Sequence, residues 1–351
     1  MSVAGPRSRR DEAENDREFW LDSFASRIGF GRVAQWLPGS IPPSYVYAVV
    51  AVVVPNVLTA AYNLSTGVPL VYSENPYYLL QPLLLVGAVW AARMLHHDYD
   101  HVIVEMGLSS RASNSEQFTD PTPSWVPWSL FAVAVAILFI FPGNMSEWTL
   151  TTYVANFFVL PFVYTPIVVQ FFTVYVTIEF IAPWRLARSD VGIHFFDPEG
   201  VGGLRPLGEL VKKAYYFVVI GLIGYAFITY APFIESGWTV SRGANLLFTS
   251  IWLVTIGTVA FAVFQLHRFM HHEKRATIHR LEQQICEHVT HPWDVEAREV
   301  PPDKEQTVAD LEERIKQVSQ TSEYPATFSI WSQLLISIAL PKIVQYTISG
   351  F

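Results

Sequence analysis

Seven apolar runs, at about 44–63, 77–95, 125–142, 150–181, 215–234, 245–266 and 327–348, constrain this chain more than any other feature. A helix needs roughly 20 residues to cross about 30 Å of hydrocarbon, and the runs approach or exceed that length. Composition points the same way: 51% of residues are hydrophobic and only 15% charged, where soluble domains carry about a quarter charged residues. The expected fold is all-α: a polytopic protein of the cell membrane with seven transmembrane helices and the lipid bilayer as its surroundings.

Basic residues set the expected orientation, because Lys and Arg favour the inner side. Six precede the first run, two flank the inner end of the second, five lie between the fourth and fifth, and eight between the sixth and seventh. That places 21 of 23 on one side, leaving Arg242 and Lys342 in or beside outer segments. The amino terminus is expected inside and the carboxyl terminus outside. No cleavable signal peptide is expected, because residues 1–42 are charged and Arg9-Arg10 leads into "DEAEND". Cys286 is the single cysteine, so no intrachain disulfide can form. A net charge of −8, without a strongly basic surface, gives no reason to expect nucleic acid as a partner.

Four regions follow: a cytoplasmic amphipathic segment (1–42), a six-span bundle (43–266), a cytoplasmic helical platform (267–326), and a last span (327–351). In the first, Phe19, Trp20, Phe24, Ile28 and Trp36 fall near helical spacing, which suits either an interfacial helix or one packed on the inner loops. Pro55 should kink the first span and leave Asn56 to find a partner. Pro161 and Pro166 offer bends in the fourth, and Trp184 beside Arg185 and Arg188 suits an interfacial anchor. From Ala244 to Val289 there is no proline and one glycine, so the sixth helix is expected to run well past the bilayer. Ile278, Leu281, Ile285 and Val289 form an apolar stripe there. Val308, Leu311, Ile315 and Val318 form another, and the two read as an antiparallel helix pair.

Three groups of residues invite functional readings. All ten histidines lie on the expected inner side. His97 and His101 share one helical face, and His267, His271 and His272 stand as H-x3-H-H. Neutral imidazoles so placed can chelate a transition metal. The arrangement resembles the histidine boxes of membrane fatty-acid desaturases and hydroxylases, which implies two iron or zinc ions and oxygen chemistry on lipid. That family's middle box is missing, since "GIHFFD" offers His194 alone, and Arg268, Lys274 and Arg275 oppose a cation nearby. The competing reading makes these histidines helix-end residues favoured by the terminal dipole, with no cofactor.

The loop "HFFDPEGVGGLRPLGEL" combines turn chemistry at Asp197, Pro198, Glu199 and Gly200 with Gly202 and Gly203, which permit positive φ. It lacks G-K-[ST] and a preceding strand, so it is neither a P-loop nor a dinucleotide site. A tight re-entry before the fifth span and a ligand-sensing or gating loop both remain open. In the last run Ser329, Gln333 and Ser337 recur every four residues, followed by Lys342. Such a face should meet protein, as interhelical glue, or a water-filled path.

Seven spans, an inner amino terminus, short outer loops, long fourth and sixth helices and a separate last span resemble the insect odorant and gustatory receptor type of ion channel. The resemblance implies a homo-oligomer, a tetramer in that family, with inner helices joining the subunits and the last helix of each lining a cation pore. That family's last helix opens with Thr-Tyr, five apolar residues and Gln-Phe; here Thr327-Phe328 precedes four residues and Gln333-Leu334. Thr327 and Gln333 become the motif positions, and Lys342 would disfavour cations if it faced the pore. A small molecule would then bias the last helix between two packings.

Overall fold

The computed structural model describes residues 19–67, 69–70, 76–114, 116–140, 150–236, 242–292, 294, 298–324, 339–340, 342–343 and 346–347. These residues are helical apart from connecting turns and one isolated bridge between Thr290 and Glu299. In chain order the longer helices are α1 (Trp20–Arg27), α2 (Phe30–Trp36), α3 (Pro43–Thr66), α4 (Leu80–Glu105) and α5 (Trp125–Ile140). They continue as α6 (Ala155–Leu186), α7 (Arg205–Ser236), α8 (Arg242–Cys286) and α9 (Glu305–Gln320). Among the described residues α3, α4, α6, α7 and α8 are long and apolar enough to cross a membrane. That is the arrangement expected of a protein embedded in the bilayer. α5 is described over 16 apolar residues, about 24 Å at 1.5 Å per residue, and positions 141–142 of the run expected at 125–142 lie outside the described residues. Most of the run at 327–348, including Thr327, Ser329, Gln333 and Ser337, lies outside the described residues.

The first departure from expectation is the amino-terminal helix. Phe19, Trp20, Leu21 and Phe24 of this segment are buried with Tyr47 and Ala48 of α3, Val89 and Ala92 of α4, and Ile167 of α6. Ile28 and Trp36 stay exposed. Two polar ties explain why α1 docks on the spans. Buried Gln170 of α6 accepts the Leu21 amide at 3.0 Å, so a free N–H of the first turn and a buried side chain satisfy each other. Asp22 accepts the Ser44 amide at 2.9 Å and pairs with Arg93 of α4, whose guanidinium also lies over the Phe19 ring at 4.7 Å.

The prolines act as their chemistry requires. Pro55 sits inside α3, and Asn56 Nδ2 donates to the Val52 carbonyl at 2.8 Å within the same helix. Around Pro161, α6 widens into π-helical turns over Ala155–Tyr164, and a second π-helical stretch covers Thr177–Ile181. Pro166 cannot donate to the carbonyl four residues back, that of Phe162. The buried Tyr47 hydroxyl donates there instead at 2.5 Å, a bond from α3 that fits the bilayer's demand for backbone satisfaction.

The main core joins α4, α6, α7 and α8 around Leu95, Tyr99, Ile178, Leu210, Ala214 and Leu266. Helix α7 begins at Arg205, ten residues before the expected span, with Pro206 in its first turn. Helix α8 runs unbroken for 45 residues, about 68 Å, to Cys286. Beyond its apolar part, Leu281, Ile285 and Val289 pack on Val308, Leu311 and Ile315 of α9. The two stripes thus form one helix pair.

Candidate functional site

The polar features converge where α6 and α8 leave the apolar layer, beside the segment that follows α9. Helix α8 presents His267, His271 and Lys274 at i, i+4 and i+7, one side of the helix. The segment 321–324 lies against that side. His271 Nδ1 is 2.8 Å from the Glu323 carboxylate, and His267 Nδ1 donates to the Glu323 carbonyl at 2.9 Å. Lys274 donates to the Thr321 carbonyl at 2.9 Å and its Nζ lies 3.5 Å from the Glu323 carboxylate. The His267 ring stacks on Tyr324 with centroids 4.5 Å apart. The bond to His271, with Lys274 adding its charge, holds the Glu323 carboxyl below the usual carboxylate range. These contacts form a polar clasp immediately before the last apolar run.

The same clasp reaches the glycine-rich loop. The Ser322 amide donates to the Gly200 carbonyl at 2.7 Å. Inside the loop, Asp197 works as a keystone: its carboxylate accepts the amides of Gly203 at 2.8 Å, Glu199 at 3.2 Å and Val201 at 3.3 Å. Partial burial opposes ionisation of Asp197, yet those three N–H groups keep its carboxyl below the ordinary range. Glu199 pairs with Arg205, which also bonds Glu209 at 2.8 Å. Gly200, Gly202 and Gly203 take φ of +67°, +70° and +75°. At Gly202 a side chain is also excluded sterically, because a Cβ would stand 2.4 Å from Ile193 Cγ2. The loop residues therefore satisfy one another and dock on the clasp.

The histidines divide between two places. His97 and His101 are exposed on α4, and His101 Nδ1 lies 3.5 Å from Glu105. His267 and His271 belong to the clasp, while His272 faces solvent on α8. Among the described residues no group of three or more His, Cys, Asp or Glu side chains comes together to hold a metal ion. Lys342 donates to Thr249 at 2.8 Å, and its ammonium lies 5.3 Å and 5.4 Å from the rings of Phe248 and Trp252. It thus packs on the amino-terminal turns of α8.

Sequence reasoning missed three residues. Glu323 is an ordinary acid in a polar linker, and nothing local marks it as the partner of two histidines some fifty residues away. Gln170 and Glu179 interrupt the apolar run of α6, and that interruption is the signal that could have found them. Glu179 is fully buried in the second π-helical stretch, and neither of its carboxylate oxygens has a hydrogen-bond partner among the described residues. Nearby, the Tyr175 hydroxyl meets Thr258 of α8 at 2.7 Å, and Thr122 meets Thr177 at 2.7 Å. No protein-family model, no curated protein and no solved structure matches this chain.

Proposed function

We propose that this chain is the subunit of a homo-oligomeric, ligand-gated channel of the cell membrane. In this reading it has seven spans, the amino terminus inside and the carboxyl terminus outside. The α8–α9 pair is the cytoplasmic platform where subunits join, as tetramers in the proteins it resembles. The last helix lines the pathway, with Thr327, Ser329, Gln333 and Ser337 on its polar face. A small molecule bound among the spans biases that helix between closed and open packings.

The observation that carries the reading is the clasp. The short segment leading into the last run is held by three side chains of α8, His267, His271 and Lys274, with its own Tyr324 stacked on His267, and by the Ser322–Gly200 backbone bond. Gating needs a discrete set of contacts at the root of the moving element, able to exchange for another set. The clasp supplies such a set and ties it to both the platform and the loop.

Ion flux through liposomes containing the full chain tests the proposal. Gln333→Ala should change conductance while leaving the oligomer intact. Unchanged currents from a correctly assembled variant, or no flux from the assembled wild type, would reject the channel and leave a non-conducting sensor.

A further inference from the structure

On the face of α8 next to the clasp, a cleft of about 660 Å³ opens between that helix and the end of α6. Its wall carries Arg188, Arg268, His271, His272 and Arg275, with Trp184 at one edge. Positions 268, 272 and 275 fall at i, i+4 and i+7 of α8, so one face of a single helix presents two guanidiniums and an imidazole together. Arg188 comes from α6 and lies over the Trp184 ring at 4.0 Å. Glu273 is the one carboxylate among the lining residues.

Arg93, Arg205, Lys213, Lys274 and Arg298 each pair with a carboxylate. Among the described residues, no carboxylate lies within ion-pair distance of Arg188, Arg268 or Arg275. Guanidinium forks match phosphate oxygens two at a time, and several converging on one cleft select a multiply accepting anion.

What surrounds the cleft distinguishes a lipid from a free anion. Phe264, one turn before Arg268 on the same face of α8, is 58% exposed. Phe180, one turn before Trp184 on α6, is 42% exposed and stacks on Phe261 of α8 at 4.3 Å. The charged cleft therefore continues directly into an apolar seam between the same two helices. Trp184, 40% exposed, sits at the junction, the position an interfacial aromatic takes at headgroup level. We infer that the cleft is a binding site for an anionic phospholipid, with the headgroup phosphate on Arg188, Arg268 and Arg275 and an acyl chain along the Phe180–Phe264 seam. The basic residues put this end of the bundle on the inner side, where anionic lipids provide the ligand. His271 lines the cleft and also holds Glu323, so an occupied site adjoins the clasp. The site does not depend on the chain conducting ions.

The test uses the full chain purified in mild detergent, titrated with phosphatidylglycerol, phosphatidylcholine or inorganic phosphate, with retained lipid read by native mass spectrometry. Phosphatidylglycerol should bind at least about tenfold more tightly than phosphatidylcholine, since each nearby basic residue contributes about 1 kcal/mol. The double variant Arg268→Gln, Arg275→Gln should abolish most of that preference, while Arg314→Gln on α9 should preserve it. If the double variant does not fold, Arg188→Gln should still reduce the preference several-fold. Equal binding of the two lipids, or a preference untouched by these substitutions in folded protein, would overturn the inference. Inorganic phosphate binding as tightly as phosphatidylglycerol would overturn the lipid assignment.

Discussion

Alanine at Gly202 and at Gly200 should have different consequences, although both glycines sit in one loop at nearly the same positive φ. At Gly200, φ is +67° and no atom lies within 4 Å of an added Cβ. Only the left-handed backbone penalty applies, roughly 1–2 kcal/mol, offset in part by about 0.4–1 kcal/mol of lost unfolded-state freedom. At Gly202, φ is +70° and the Cβ would stand 2.4 Å from Ile193 Cγ2. Restoring ordinary contact requires a shift of about 1 Å, and Met270 Cε of α8 already stands 3.7 Å from that Cβ. Met270 is only 1% exposed, so the strain passes into the core, and overpacking of this kind costs roughly 1–3 kcal/mol. Gly202→Ala should therefore destabilise the protein by about 1–3 kcal/mol more than Gly200→Ala. Thermal unfolding of the two variants side by side in one detergent, followed by helical circular dichroism, measures the difference. Equal midpoints, or a Gly200→Ala variant that suffers more, would refute the steric argument.

Two further expectations rest on single contacts. Tyr47→Phe removes the donor that replaces the missing Pro166 amide, and should cost about 1–3 kcal/mol of unfolding free energy, because hydrocarbon offers the Phe162 carbonyl no water in its place; an unchanged unfolding midpoint would show that the carbonyl needs no such donor. Glu323 has a lowered pKa, so its contribution is fully present above the ordinary value of 4.5 and is lost as pH falls through the depressed folded value. Acidification below about 4.5 should loosen the 321–324 segment, read as faster amide exchange there, and Glu323→Gln should remove that pH dependence; a segment equally protected at both pH values would count against the clasp.

Much of the fold could be read from the chain because bilayer and helix physics act locally. Apolar run length marked the five helices long enough to span, the absence of proline from Ala244 to Val289 foretold the length of α8, and matched stripes foretold its pairing with α9. Two features escaped, the first because its cause is distant in sequence and the second because its local signals read two ways. The docking of α1 depends on Gln170 and Arg93, each of which looks like a misfit within its own apolar run until α1 supplies the partner. The start of α7 at Arg205 was hidden by glycine and proline signals that belong to the turn just before it and to a helix's first turn.

The histidines show why spacing alone does not assign chemistry. H-x3-H-H guarantees that 267 and 271 share a face, and the structure keeps that face together. Spacing cannot say what approaches it. Here a carboxylate and a backbone carbonyl take the two Nδ1 atoms, while the neighbouring face at 268, 272 and 275 is left open to the cleft. Just over two turns of α8 thus divide their polar groups between an internal clasp and an unpaired basic surface, with His271 touching both. A ligand that drew His271 toward the cleft would weaken its bond to Glu323, and so the root of the last apolar run. That shared residue gives the lipid site a physical route to the clasp, and Glu323→Gln, which leaves the three arginines in place, should separate lipid binding from any effect transmitted onward.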